Sequence, residues 1–132
     1  MHGYMAKFLT ELDARCKDDG TWILVCPLAY QSDIIGRVVA PAGFQTDFAS
    51  VPRVPVAYSL FGNRAHRESV LHDYLYRIDA VPSFISRSQA DAVFLEAMTE
   101  RKKGFFVRYA MWLGVRTGGL SAWHKMMVAD PI

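Results

Sequence analysis

The chain has 132 residues, 52% of them apolar, enough for one domain with its own core and too apolar for a disordered segment. Fifteen Lys plus Arg against 13 Asp plus Glu leave a net +2, so bulk electrostatics point to no nucleic-acid partner and no specific nucleic-acid binding is expected. The charge is unevenly placed: from Arg101 to Ala129 there is no Asp or Glu, while Arg101, Lys102, Lys103, Arg108, Arg116 and Lys125 are cationic.

Cys16 and Cys26 are too few for a disulfide framework. One bridge between them is conceivable, but free thiols in a reducing cytoplasm are the expectation, because MHGYMAKF has no charged start followed by an apolar run. The most apolar stretch, Phe105 to Val115, is interrupted by Arg108 and falls short of the roughly 20 residues a membrane span needs.

The first forty residues read as β structure. The segment from Lys7 to Ala14 is compatible with either period and is assigned to a strand. Trp22 to Tyr30 and Ile34 to Ala40 are rich in β-branched and aromatic residues, and Gln31-Ser32-Asp33 between them suits a hairpin. Residues 41–55 form a loop whose three prolines, Pro41, Pro52 and Pro55, oppose regular pairing and stiffen the backbone. A stiff loop holds a site well.

Beyond it the period changes. From Arg64 to Ile78 there is no Pro or Gly, and Arg67, Leu71, Tyr74, Leu75 and Ile78 follow the spacing of one helical face. Ser86-Arg-Ser-Gln89 is a capping box that opens a second helix, expected to run to about Lys103 and stop at Gly104. A third helix, apolar on nearly every side, is expected from Phe105 to about Thr117, before Gly118-Gly119. Core burial explains such a helix; adsorption to an anionic membrane surface or to a protein partner is the other reading. The predicted architecture is α+β in a single domain: an N-terminal antiparallel hairpin or small sheet (1–40), a proline-rich site loop (41–63), then two antiparallel helices and a third apolar one (64–132).

On a wheel of about 100° per residue, Ala65, Ser69, His72, Asp73 and Tyr76 form a second stripe on the first helix. A hydroxyl, an imidazole, a carboxylate and a phenol side by side mark a polar cleft or a buried network. The second helix carries the matching oddity. Asp91 lies in the middle of the apolar stripe of Phe94, Leu95 and Met98, where an unpaired carboxylate would cost several kcal/mol. Antiparallel packing would bring Asp91 against His72 or Tyr76. A carboxylate on one imidazole nitrogen fixes the tautomer and leaves the other as a base; equally, such pairs serve as satisfied structural groups. Asp73 can ligate a hard cation or pair with Arg77 or Arg53, and Asp47 in the stiff loop can be a second oxygen ligand or an Asx-turn. His66 is on another face from His72, His2 and His124 lie near the ends, and the cysteines lack metal-knuckle spacing.

Three motifs in order, Pro41-Ala-Gly-Phe-Gln-Thr-Asp-Phe-Ala-Ser-Val-Pro-Arg53, His72-Asp-Tyr-Leu-Tyr-Arg77 and Ser86-Arg-Ser-Gln-Ala-Asp91, resemble a family of small uncharacterised proteins of tailed phages and prophages. That resemblance implies a viral origin, synthesis in a host cytoplasm and possible virion association. Locally, His72-Asp73-Tyr74-Leu75-Tyr76 is similar to the H-D-x-x-Y of bacterial and fungal secreted phospholipase A2, with Thr46-Asp47-Phe48-Ala49-Ser50 and Arg87-Ser-Gln-Ala-Asp91 resembling its loop and its antiparallel helix. The resemblance implies His72 as general base, Asp91 as its orienting carboxylate, Tyr76 as a partner of Asp91, and Asp73 with Asp47 as calcium ligands. Phe48 and Ala49 replace the Gly-Cys of the enzymes' loop, and the β-rich N-terminal part has no counterpart in them.

The expected function is therefore calcium-dependent hydrolysis of an ester, with phospholipid as substrate and the basic, aromatic C-terminal third at its interface. The rival is a non-enzymatic phage tail, baseplate or host-interaction protein in which the His-Asp-Tyr network is structural. A metal phosphohydrolase using His66, His72, Asp73 and Asp91 ranks third, because His66 is off-face.

Overall fold

The computed structural model describes residues 6–18, 21–46, 66–83, 85–100, 105–118 and 123–130. Among these, strands come first: β1 (Lys7–Phe8), β2 (Ala14–Cys16), β3 (Trp22–Leu24), β4 (Leu28–Ser32), β5 (Gly36–Ala40) and β6 (Gln45–Thr46). Helices α1 (His66–Leu75), α2 (Arg87–Glu100) and α3 (Phe105–Gly118) follow, so the architecture is α+β, strands before helices. The proline-rich stretch is not wholly unpaired as expected: Gln45–Thr46, clear of its prolines, pairs with β3, and from residue 47 onward it lies outside the described residues, as does the expected helix start at residues 64–65.

The strands make two antiparallel sheets of three, ordered β1-β4-β5 and β2-β3-β6. The single strand expected over 22–30 is thus two strands in different sheets. Val25 still donates to the Asp13 carbonyl at 2.9 Å, but Pro27 has no N–H, and the chain bends there and crosses between sheets. The segment from Lys7 to Ala14 divides in the same way, its ends pairing with β4 and β3. The expected hairpin forms as β4 and β5, in register from Leu28↔Ala40 to Ser32↔Gly36. Its turn is held by Ser32 Oγ, which accepts from the Ile34 and Ile35 amides at 2.9 and 3.2 Å, and Gly36 takes the left-handed φ of 86° that closes it.

Alternate residues of this hairpin, Leu28, Tyr30, Val38 and Ala40, point into the core, where they meet Val70, Leu71, Tyr74 and Leu75 of α1 and Ala90, Val93 and Ala97 of α2. Burying each large side chain contributes about 1.5–3 kcal/mol. Glu96 ties α2 to the hairpin by accepting from the Tyr30 hydroxyl at 2.9 Å and the Asp33 amide at 3.1 Å.

Helix α1 ends at Leu75, earlier than the apolar spacing predicts. The Tyr76 amide is shared between the His72 and Asp73 carbonyls at 3.1 and 3.3 Å, and Arg77 donates to Tyr74 at 3.0 Å, which tightens the last turn. Ile78 then bonds through its amide to the Met126 carbonyl, and its side chain is 52% exposed and not part of the core stripe. The capping box of α2 is realised on both sides: Ser86 Oγ accepts from the Gln89 amide at 3.1 Å and Gln89 Oε1 from the Ser86 amide at 2.9 Å. Residues 101–104, where that helix was expected to stop, lie outside the described residues. Helix α3 buries Met111 and Val115 against Phe94 and Met98 of α2, while Tyr109 and Leu113 are exposed. It is apolar nearly all round in sequence, and among its described side chains Met111 and Val115 are the fully covered ones. Among the described residues no helix is long and apolar enough to cross a membrane.

Candidate functional site

The polar stripe of α1 faces the middle of α2. His72 meets Phe94 and Asp91, Tyr76 meets Asp91 and Arg87, so the pairing runs in opposite directions along the two helices and they are antiparallel. His72 Nε2 lies 2.6 Å from Asp91 Oδ1, and the Tyr76 hydroxyl donates to the same oxygen at 2.6 Å. The His72 and Asp91 side chains are 1% and 0% exposed. The spatial expectation for residues 72, 76 and 91 is therefore met.

The other carboxylate oxygen is held by α3 and by α2 itself. Arg116 Nη1 donates to Asp91 Oδ2 at 2.8 Å, and Arg87 Nη1 lies 3.6 Å from it, one turn earlier on the same helix. Arg87 also donates to the Val115 and Arg116 carbonyls at 3.3 and 3.2 Å, where α3 nears its end. One carboxylate thus joins three helices. Neither arginine was given a role from sequence. Arg87 had a usable signal, its i, i+4 spacing to Asp91; Arg116 had none beyond its charge.

Burial by itself would raise the Asp91 carboxyl. The hydrogen bonds from His72 and Tyr76, the field of His72 and the Arg116 bond outweigh it and hold Asp91 below the usual carboxylate range. Tyr76 moves the other way, its phenol raised by burial first and then by the bond to the Asp91 anion. An ionised Asp91 accepts from an Nε2–H, so a neutral ring in this geometry would carry its lone pair on Nδ1. The ring packs against Phe94 at 4.8 Å and Tyr76 at 4.2 Å, and Trp123 meets Tyr76 edge-on at 5.0 Å.

Asp73, next to the network, pairs with Arg77 at 3.3 Å, as one of the two sequence readings anticipates, and its side chain is 16% exposed. Arg77 is buried, with further bonds to the Gln45 carbonyl at 3.1 Å and the Met127 carbonyl at 3.5 Å, and it lies over the Phe44 ring. Asp47 and Arg53 lie outside the described residues, as does the side chain of His66. The described residues supply one of the two carboxylates expected for calcium, and among them no group of three or more His, Cys, Asp or Glu is gathered as a metal cage. Ser69, of the same stripe, is fully buried, and its hydroxyl has no hydrogen-bond partner among the described residues. His124 stacks on Trp123 at 3.8 Å, and Cys16 and Cys26 are exposed and unbridged.

The fold and site together define a small α+β domain whose three helices converge on one ionised aspartate with a histidine, a tyrosine and two arginines. The chain belongs to the DUF1353 family, a protein family of unknown function, whose pattern matches residues 22–115. That span runs from β3 to the last buried residue of α3 and includes His72, Tyr76 and Asp91. No curated protein and no solved structure matches the chain.

Proposed function

We propose that the chain is a phage-encoded hydrolase in which His72 acts as general base on a water molecule that attacks an ester carbonyl, the ester being that of a phospholipid. The observation that supports this reading is the 2.6 Å contact between His72 Nε2 and an Asp91 held ionised by Tyr76 and Arg116. A carboxylate fixed on one ring nitrogen directs basicity to the other and stabilises the imidazolium formed when that nitrogen takes a proton. Water would give its proton to Nδ1 as its oxygen bonds to the carbonyl carbon; on collapse the departing alkoxide would take that proton back. Tyr76 and Asp91 position the ring and do not touch substrate. Calcium, held through Asp73 and Asp47, would supply polarisation of the carbonyl. Because His72 is 1% exposed, substrate reaches it only after the covering side chains part.

A second reading is favoured by that same burial: the network joins three helices around one carboxylate, as a structural lock in a non-enzymatic phage tail or host-interaction protein would. Substitution separates the two. Under the hydrolytic reading, His72→Asn leaves a folded protein and abolishes release of fatty acid from phospholipid vesicles in the presence of calcium. Under the structural reading the wild type releases none, and His72→Asn lowers stability by about 1–3 kcal/mol through an unsatisfied buried Asp91.

A further inference from the structure

The α3 face that turns away from α2 is an aromatic and aliphatic surface set in a cationic segment. Tyr109 and Leu113 are 42% and 56% exposed, one turn apart, and Trp112 lies half-buried beside them with its ring 6.4 Å from that of Tyr109. Arg108 sits over the Tyr109 ring at 5.8 Å, and the Arg116 side chain is 29% exposed at the other end. On a wheel, residues 109, 112, 113 and 116 fall within about 100° of one another, with Tyr109 and Leu113 about 160° from the buried Met111. No acidic residue occurs between positions 101 and 129.

We infer that this face docks on an anionic phospholipid surface, with α3 lying in the plane of the interface. Three features select that occupant. The charge of the whole segment is of one sign and complements an anionic headgroup layer. Tyr and Trp flanked by Arg suit the boundary where one end of a side chain is wet and the other apolar. An exposed Leu113 gains burial in acyl chains, whereas a phosphodiester backbone offers it nothing. The helix has 14 residues, long enough to lie along an interface.

Arg116 makes the docking face continuous with the buried network. Its Nη1 bonds to Asp91 while the side chain reaches the exposed surface, so a lipid phosphate meeting this guanidinium lies one side chain from the carboxylate that holds His72. In that respect the inference deepens the hydrolytic reading by naming where its substrate layer would sit; the docking itself does not depend on turnover.

The test is co-sedimentation of the full chain with vesicles of phosphatidylcholine alone or mixed equally with phosphatidylglycerol, at low and high salt. The chain is expected to pellet with the mixed vesicles, not with phosphatidylcholine alone, and to be released by salt. Tyr109→Glu with Leu113→Glu should weaken vesicle affinity about tenfold or more, with unchanged circular dichroism because these two side chains are exposed. Absence of pelleting, equal pelleting with both vesicles, or no effect of the glutamate substitutions overturns the inference. A dimer in sedimentation velocity that these substitutions dissociate, without vesicle binding, overturns it in favour of a second copy as occupant. His72→Asn serves as the control: pelleting that persists in a variant or wild type with no hydrolysis separates failure of the catalytic reading from failure of this one.

Discussion

Replacing Asp91 by Asn removes one charge from a fully buried position while preserving shape. The wild-type carboxylate receives His72 and Tyr76 on Oδ1 and Arg116 on Oδ2, with Arg87 nearby, so the substitution strands two cationic side chains and weakens two bonds to a formal anion. Removing one partner of a buried ion pair costs about 3–5 kcal/mol. Asn retains Oδ1 as an acceptor for His72 and Tyr76 and loses the acceptor of Arg116, which puts the expected loss near the lower end, about 3 kcal/mol. At an unfolding entropy of about 2.1 cal/mol/K per residue, a chain of 132 residues should then melt about 10 °C lower. The pH dependence gives the sharper check. Asp91 is held below its ordinary value in the fold, so its stabilisation is present above the unfolded value of about 3.9 and is lost as pH falls through the lower, folded one. In urea titrations the gap between wild type and Asp91→Asn should hold constant from pH 7 to about 4 and narrow below that. A variant as stable as wild type, or a gap that stays the same to the most acidic pH at which the chain folds, would refute the assignment of Asp91 as the charged centre of the helical layer.

Tyr76→Phe deletes one donor to Asp91 and should cost about 1–2 kcal/mol near neutrality. Because the folded phenol is raised, unfolding releases its proton above about pH 10, so wild-type stability should fall with alkalinity there and the Phe variant should lack that component, as read from chemical denaturation between pH 8 and 11. Ser86→Ala opens one half of the capping box at the start of α2, with an expected loss of about 1 kcal/mol in urea titration and no change in the m-value. Glu96→Ala frees the Tyr30 hydroxyl and the Asp33 amide together; a loss of about 1–3 kcal/mol is expected, with faster amide exchange at residues 33–36 than in α2, and uniform exchange in both would contradict the tie between hairpin and helix.

The local elements were largely legible in the chain because they depend on near neighbours. The β-branched and aromatic richness around the hairpin and the Ser86–Gln89 box are short-range signals realised in the fold, whereas the turn falls at residues 33–35, because Gln31 and Ser32 stay paired with Arg37 and Gly36. Asp91 within an apolar stripe also announced itself, since a buried carboxylate requires a partner and the stripe of His72 and Tyr76 offered one at a short connection. Three things needed the tertiary structure. Trp22 to Tyr30 carries its divider in Pro27, but both halves have β propensity, and which sheet each half joins is decided only by their distant partners. The end of α1 is set by Arg77 and Ile78 reaching the strand and the C-terminal segment, contacts more than thirty residues away. Arg116 is twenty-five residues from Asp91, and its arrival at Oδ2 depends on how α3 folds back along α2, which helical periodicity does not encode. Periodicity specifies which face of a segment is apolar; which neighbour covers it, and which outward side chains are left for solvent or a partner, is decided only when the segments pack.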